Sequence, residues 1–310
     1  MNLLERKSLN FADRLEDAIE QKKSCLVVGL DPLVDTLPAE IHGRVGGALG
    51  NVGWTARAAA AVGLFLNEVI DLVAPHAVAV KPNVAFFERL GPVGWDCLCR
   101  VSQKAQKSGL LIITDAKRGD IGHSAEAYAE ALLGDIPDTL GPVTDAVTVN
   151  PFLGTDGLKP FLERVERGGK GIFVLVRTSN PSAGEIQDLD VSGQPLYEHV
   201  ARLVRSWGEG LEGACGLSPV GAVVGATAPT QGKRVRQVLG KSFLLVPGLG
   251  AQGGRAEALA PLFLPGGRGV LVSASRSILN AHQSQKGPWQ SAVEAAALEA
   301  KKQLDEIRRG

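Results

Sequence analysis

Leu110-Leu111-Ile112-Ile113-Thr114-Asp115 is a short apolar run that ends in a hydroxyl and a carboxylate. A strand with one face in water alternates apolar and polar residues. An unbroken run instead suits a strand buried on both faces, as in a parallel sheet. Seven more such runs lie along the chain: Cys25–Asp31, Ala77–Lys81, Ala146–Asn150, Ile172–Val176, Gly221–Gly225, Phe243–Pro247 and Gly269–Ser273. Amphipathic stretches separate them, among them Thr55–Val73, His123–Leu133 and Leu196–Trp207. Strand then helix, eight times over, predicts an α/β protein with a (β/α)8 TIM barrel. At 310 residues the chain is about twice an average ~150-residue domain, so it holds two domains or one large barrel. No linker, repeat or low-complexity tract divides it. The expectation is therefore one domain over 1–310, with extra terminal helices and an insertion at Leu37–Gly53.

Composition excludes several functions. Thirty-three basic residues balance 33 acidic ones, so the chain lacks the broad positive field of a nucleic-acid-coating protein. Aromatic residues are only 5%, too few for base-stacking platforms to dominate. Glycine is high, 38 of 310 or about 12% against a usual ~7%, which points to tight turns and to backbone lying close to a ligand. The first residues are laced with charge and do not read as a signal peptide. The uncharged stretch Gly213–Gly232 holds too much Gly and Pro for a membrane span and reads as turn, strand and loop. Cys25, Cys97, Cys99 and Cys215 form no CxxC pair, and the five histidines show no HxH or HExxH spacing. A reduced, cytoplasmic setting without a histidine-built metal centre is expected. Trp54, Trp95, Trp207 and Trp289 are assigned to packing, and Glu294–Arg309 to an exposed charged helix.

Several runs end in a polar residue: Asp31, Lys81, Asp115 and Asn150. Any strand must leave a core through something polar, so one such residue means little. Together they matter, because reacting groups of a parallel barrel collect at the C-terminal ends of its strands. The sharpest local signal is Asp115-Ala116-Lys117-Arg118-Gly119-Asp120-Ile121. Two residues apart on a strand, Asp115 and Lys117 project from the same face. With 15 Asp and 14 Lys, a chance Asp-x-Lys-x-x-Asp is expected only roughly 0.03 times in this chain. A salt bridge at a strand end would nonetheless look similar.

The second signal is Pro247-Gly248-Leu249-Gly250-Ala251-Gln252-Gly253-Gly254, after the seventh run, followed by Arg276 just past the eighth. Glycines let backbone N–H groups converge on an anion, and arginine suits a phosphate. The loops after strands 7 and 8 are where barrels commonly bind phosphate.

Taken together, Gly29-Leu30-Asp31-Pro32, Lys81-Pro82-Asn83, the Asp115–Ile121 run, Pro247–Gly254 and Ser275-Arg276-Ser277-Ile278 resemble orotidine 5′-phosphate decarboxylases, with the longer bacterial branch (the type 2 subfamily) the nearer match. The motifs run in family order from residue 29 to residue 278. The resemblance implies a decarboxylase without cofactor or metal that converts orotidine 5′-monophosphate to uridine 5′-monophosphate, the last step of UMP synthesis. It implies a homodimer with shared active sites, whose partner molecule is a nucleotide rather than nucleic acid or membrane. By motif, Lys81, Asp115 and Lys117 form a charged network with Asp120 supplied by the neighbouring subunit. Asp31 and Lys81 bind ribose hydroxyls. Ser179, in Thr178-Ser179-Asn180-Pro181, contacts the pyrimidine, and Ile121 walls its pocket. Gln252 and Arg276 hold the phosphate, with Pro247, Gly253 and Ser275 beside it. Two positions depart from the family: Ser124 stands where Thr is frequent, and Ser275 where Gly often precedes the arginine.

The chemistry fits those residue types. Losing CO2 from C6 of the pyrimidine leaves an electron pair orthogonal to the ring π system. With no electron-sink cofactor, fixed charge must lower the barrier. Lys117 is the expected centre, stabilising the carbanion and then protonating it. Closure of Gly248–Gly254 over the phosphate would couple remote binding to catalysis. Thr178–Pro195 reads equally as a second lid or a solvated spacer. The alternatives are an Mg²⁺-dependent phosphosugar barrel using Asp115 and Asp120, and a non-catalytic phosphometabolite binder.

Overall fold

The computed structural model describes residues 10–49, 53–134, 141–248 and 256–310. Eight parallel strands close into a barrel. They are β1 (Leu26–Leu30), β2 (Ala79–Pro82), β3 (Leu111–Arg118), β4 (Ala146–Val149), β5 (Gly171–Arg177), β6 (Ser218–Val224), β7 (Ser242–Pro247) and β8 (Val270–Ala274). Each pairs with its neighbours in chain order, and β1 closes the ring against β8. Every one of the eight apolar runs is a strand. The continuous apolar pattern has its cause in burial on two sides. Val27, Ile113, Phe173, Leu245 and Leu271 belong to the cluster inside the ring, while Val28, Ile112, Val174, Leu244 and Val272 belong to the one beneath the surrounding helices.

The longer helices are α1 (Phe11–Lys22), which lies at one end of the barrel, and, around it, α2 (Ala39–Leu49), α3 (Trp54–Val73), α4 (Pro92–Lys107), α5 (Gly122–Leu133), α6 (Thr155–Glu166), α7 (Leu196–Gly208), α8 (Pro229–Val238) and α9 (Trp289–Arg309). A 3-10 segment, Ala256–Leu262, follows β7 where the pattern would place another helix.

Helix α1 precedes the barrel and plugs its N-terminal end. Phe11, Ala12, Leu15 and Ile19 join the inner cluster, with Phe11 edge-on to Phe173 at 6.2 Å. A fully buried side chain of this size contributes about 1.5–3 kcal/mol. Gly171 on β5 makes room for it, because a Cβ there would meet the Phe11 ring at 2.3 Å. With the lower end filled, the upper end remains for a ligand. A second fastening lies at the strand starts, where the buried Arg236 donates to the carbonyls of Leu239, Ser242, Leu262 and Gly269. Burial pulls its pKa down to about 10.

Two sequence expectations change here. Residues 294–309 are the end of α9 and are amphipathic rather than exposed, with Ala297 and Leu304 buried. Trp289 packs on Phe65 at 5.1 Å, but Trp54 is 53% exposed and is no core residue. Among the described residues no helix is long and apolar enough to cross a membrane. The uncharged Gly213–Gly232 stretch holds turns, β6 and the start of α8.

Candidate active site at the barrel mouth

A cavity of about 470 Å³ opens at the C-terminal ends of the strands. Asp31 reaches it from the end of β1, Lys81 from β2, Asp115 and Lys117 from β3, and Ser179 from the loop after β5. Pro247 and Gly248 line it after β7, and Ser275 and Arg276 after β8. Residues spread over 245 sequence positions thus meet because parallel strands all deliver their C-terminal ends to one rim.

At its centre one carboxylate holds two ammoniums. Asp115 accepts from Lys81 Nζ at 2.6 Å through Oδ2 and from Lys117 Nζ at 2.5 Å through Oδ1. Lys81 and Asp115 are buried side by side, whereas the Lys117 side chain is 48% exposed and reaches into the opening. Burial alone would raise the Asp115 pKa, but the charges of Lys81 and Lys117 and their hydrogen bonds hold it well below the usual carboxylate range. Burial likewise opposes charge on Lys81, yet Asp115 and Asp31 outweigh it and raise its pKa. Asp115 and Lys81 are therefore both ionised at neutral pH.

The local backbone is not the regular strand that the two-residue spacing suggested. Thr114 pairs with Val147 and Arg118 with Val149, so three residues of β3 oppose one of β4. Within this bulge Lys117 takes φ +49°, in the left-handed region, a strained conformation for a non-glycine residue. Asp115 and Lys117 do face each other, but through the bulge rather than through simple pleating.

Two polar atoms at the rim lack partners. Asp31 Oδ1 and Ser275 Oγ are buried with no hydrogen-bond partner among the described residues. Both residues line the cavity, and a Cβ on Gly29 would strike Ser275 at 2.7 Å, so glycine is what lets the two strand ends approach. A buried polar group without a partner is costly, and a ligand rich in hydroxyls relieves it. Arg276, exposed at the start of a short helical turn, pairs with no described residue.

The segment after β5 is ordered and folded back on the strand. Arg177 grips Asp188 with two bonds, at 2.9 and 3.0 Å, and Gln187 bonds both the N–H and the hydroxyl of Thr178. A hairpin of Asp190–Val191 and Gln194–Pro195 follows. Within Thr178–Pro195, Thr178, Ser179, Asn180 and Gln187 line the cavity, while residues 188–194 are exposed, so the segment is part cavity wall and part solvated spacer.

Some expected site residues are elsewhere. Asp120, Ile121 and Ser124 do not line this cavity; Ile121 is 54% exposed and Ser124 is exposed on α5. The chain turns outward after Arg118 and carries them away from their own barrel mouth. Gln252 and Gly253 lie outside the described residues, as does most of the Pro247–Gly254 loop. Conversely, Asn83, Thr148, Gln187 and Ser273 line the cavity although sequence reading gave them no role. Asn83 stood within a quoted motif and Thr148 within a strand, but the spacing of Gln187 and Ser273 carried no signal. Among the described residues no three His, Cys, Asp or Glu side chains come together as a metal site. Both oxygens of Asp115 are already occupied by ammoniums.

Fold and site together define a barrel enzyme whose working groups sit at the strand ends. Comparison with known proteins makes the assignment narrower. A family model described as orotidine 5′-phosphate decarboxylase / HUMPS family matches residues 56–287, and the chain belongs to that family. It is 43% identical over 304 residues to the orotidine 5′-phosphate decarboxylase of Rhodopirellula baltica, covering 96% of this chain and 99% of that one. Identity to the enzyme of the same name from Caldicellulosiruptor saccharolyticus is 39% over 284 residues, 89% of this chain and 91% of the relative. Among solved structures, Leishmania donovani OMP decarboxylase superposes with a TM-score of 0.75 at 31% identity, covering 97% of this chain and 99% of the other.

Proposed function

We propose that this chain is a decarboxylase that converts orotidine 5′-monophosphate to uridine 5′-monophosphate and CO2 in pyrimidine synthesis, with Lys117 as its catalytic residue. The observation that carries this reading is the Lys81–Asp115–Lys117 array at the cavity mouth, in a chain of this family. As the C6–carboxylate bond breaks, its electron pair stays on C6 and neutral CO2 leaves. The Lys117 ammonium lies beside that developing charge and then transfers a proton to C6. Asp115 keeps Lys117 in place and is itself held by Lys81. Fixed charges need no reorganisation during the reaction, which is where the rate gain arises.

The remaining groups fit the rest of a nucleotide. The unpartnered Asp31 Oδ1 and the Lys81 ammonium suit ribose hydroxyls, and Ser179 suits the pyrimidine edge. Arg276 suits the phosphate, with Ser275 beside it and Gln252 and Gly253 assigned to the same role by motif. The expected result for Arg276→Ala is a roughly 10- to 100-fold weaker affinity for uridine 5′-monophosphate, the loss of a charge-assisted contact. Affinity for uridine should not change, as isothermal titration of both ligands would show.

We further read the protein as one cytoplasmic domain over 1–310, acting as a homodimer with shared sites. Asp120 and Ile121 lie outside this chain's own cavity, and Ile121, Tyr128, Phe152 and Leu153 on the neighbouring β3 and β4 connections are exposed apolar residues, Phe152 by 78%. A second copy would cover them and receive Asp120 and Ile121 at its own cavity, with Ser124 following. Mixing Lys117→Ala and Asp120→Ala proteins, each inert alone, should restore activity in the hybrid. No recovery would exclude shared sites.

The deciding assay is the fall in orotate-type ultraviolet absorbance when purified protein meets orotidine 5′-monophosphate without added metal or coenzyme. Activity that persists in chelator supports the reading. Strict dependence on Mg²⁺ overturns it.

A further inference from the structure

Thr148 lies within β4, 1% exposed, at the one position that faces the three-residue bulge of β3. Its hydroxyl is used in both directions. It accepts the backbone N–H of Lys117 at 3.0 Å and donates to Asp115 Oδ1 at 2.9 Å. Asp115 Oδ1 is the same oxygen that holds Lys117 Nζ. One hydroxyl therefore joins the strained backbone of the lysine to the carboxylate that steers its tip.

A left-handed non-glycine residue persists only where its surroundings over-determine it. Lys117 is constrained there from two sides. The Asn150 N–H donates to the Arg118 carbonyl at 2.8 Å just after the bulge, and Thr148 takes the Lys117 N–H within it. Without the hydroxyl that N–H has no partner, and the bulge is free to relax toward an ordinary extended turn. The ammonium would then move relative to Asp115, although no catalytic group has been removed.

We propose that Thr148 is a positioning residue that sets Lys117 over the reacting carbon by holding the β3 bulge in its left-handed form. The proposal rests on the decarboxylase reading for its kinetic consequence, but not for its structural one.

The test is a graded series at one position. Valine matches threonine in shape and lacks the hydroxyl, serine keeps the hydroxyl and loses a methyl, and cysteine offers a weak donor and acceptor. A displacement of about 1 Å costs on the order of 10²-fold in rate. Thr148→Val should therefore lose roughly 10- to 100-fold in kcat, with KM and the affinity for uridine 5′-monophosphate near wild type. Thr148→Ser should retain most of kcat and Thr148→Cys should fall between them. A crystal structure of Thr148→Val without ligand should show Lys117 out of the left-handed region. Wild-type kcat in Thr148→Val, a serine variant no faster than the valine or cysteine variant, or an unmoved Lys117 would each overturn the proposal. If Thr148→Val does not fold, the serine and cysteine variants decide by the same ordering. If the wild type turns over no orotidine 5′-monophosphate, the decarboxylase reading fails, and the Lys117 backbone in the variant still judges Thr148.

Discussion

Lys117→Ala is expected to abolish turnover of orotidine 5′-monophosphate, by at least about 10⁴-fold in kcat, because the variant loses both charge stabilisation and the proton donor. Uridine 5′-monophosphate should still bind, since Asp31, Ser179 and Arg276 remain on the other sides of the cavity. Stability should change little. The Lys117 side chain is half-exposed, and an exposed ion pair contributes at most about 1 kcal/mol. The informative result is the contrast of lost turnover with retained product binding, measured by single-turnover absorbance and calorimetry on the same preparation. A rate unchanged from wild type would remove Lys117 from the mechanism and leave a phosphometabolite-binding barrel as the better account.

Asp115→Asn should be damaging in a different way. Asp115 is buried against the buried Lys81, so removing its charge breaks the direct pair and leaves the ammonium with only Asp31 to offset its burial. Breaking such a pair costs about 3 kcal/mol or more. Turnover should fall as well, because Asn cannot anchor the Lys117 ammonium as a carboxylate does. The pH dependence follows from the direction of the shift. The folded-state pKa of Asp115 lies below its ordinary 3.8, so its stabilising contribution is complete above about pH 4 and is lost as pH falls through the lowered value. Lys81 is shifted the other way, above 10.5, so its contribution is complete below that value and is lost only as pH rises through the raised one. The gap in melting temperature between wild type and Asp115→Asn should thus stay constant from about pH 5 to 7 and narrow below about pH 4. A gap that instead narrowed between pH 5 and 7 would show that Asp115 is not held ionised in the folded protein.

Which parts of this site were legible beforehand depends on how local their cause is. Lys81 and Asp115 stand at the ends of apolar runs, and a run buried on both faces announces its own strand. Arg276 follows the eighth run by a few residues, where the barrel pattern already expects an anion-binding group. Thr148 was invisible for a plain reason: inside a strand it looks like any β-branched residue, and its role comes from register with β3. Gln187 is eight residues beyond Ser179 in a segment with no periodicity, and only the fold of that segment brings it back to Thr178. The spacing of Asp115 and Lys117 predicted their contact correctly from a pleated geometry that the bulge does not have.

The order of apolar runs and intervening amphipathic stretches determined a parallel barrel, because backbone burial on two faces leaves a mark on every residue of a strand. The types of charged residue at the strand ends likewise determined the chemistry on offer. The tertiary structure decided which of those residues meet. It set Lys117 in a left-handed bulge, left Asp31 Oδ1 and Ser275 Oγ without a hydrogen-bond partner among the described residues, and turned Asp120 and Ile121 away from their own cavity. Such outcomes depend on strand register and on hydrogen bonds between residues distant in the chain, which no local pattern of side chains encodes.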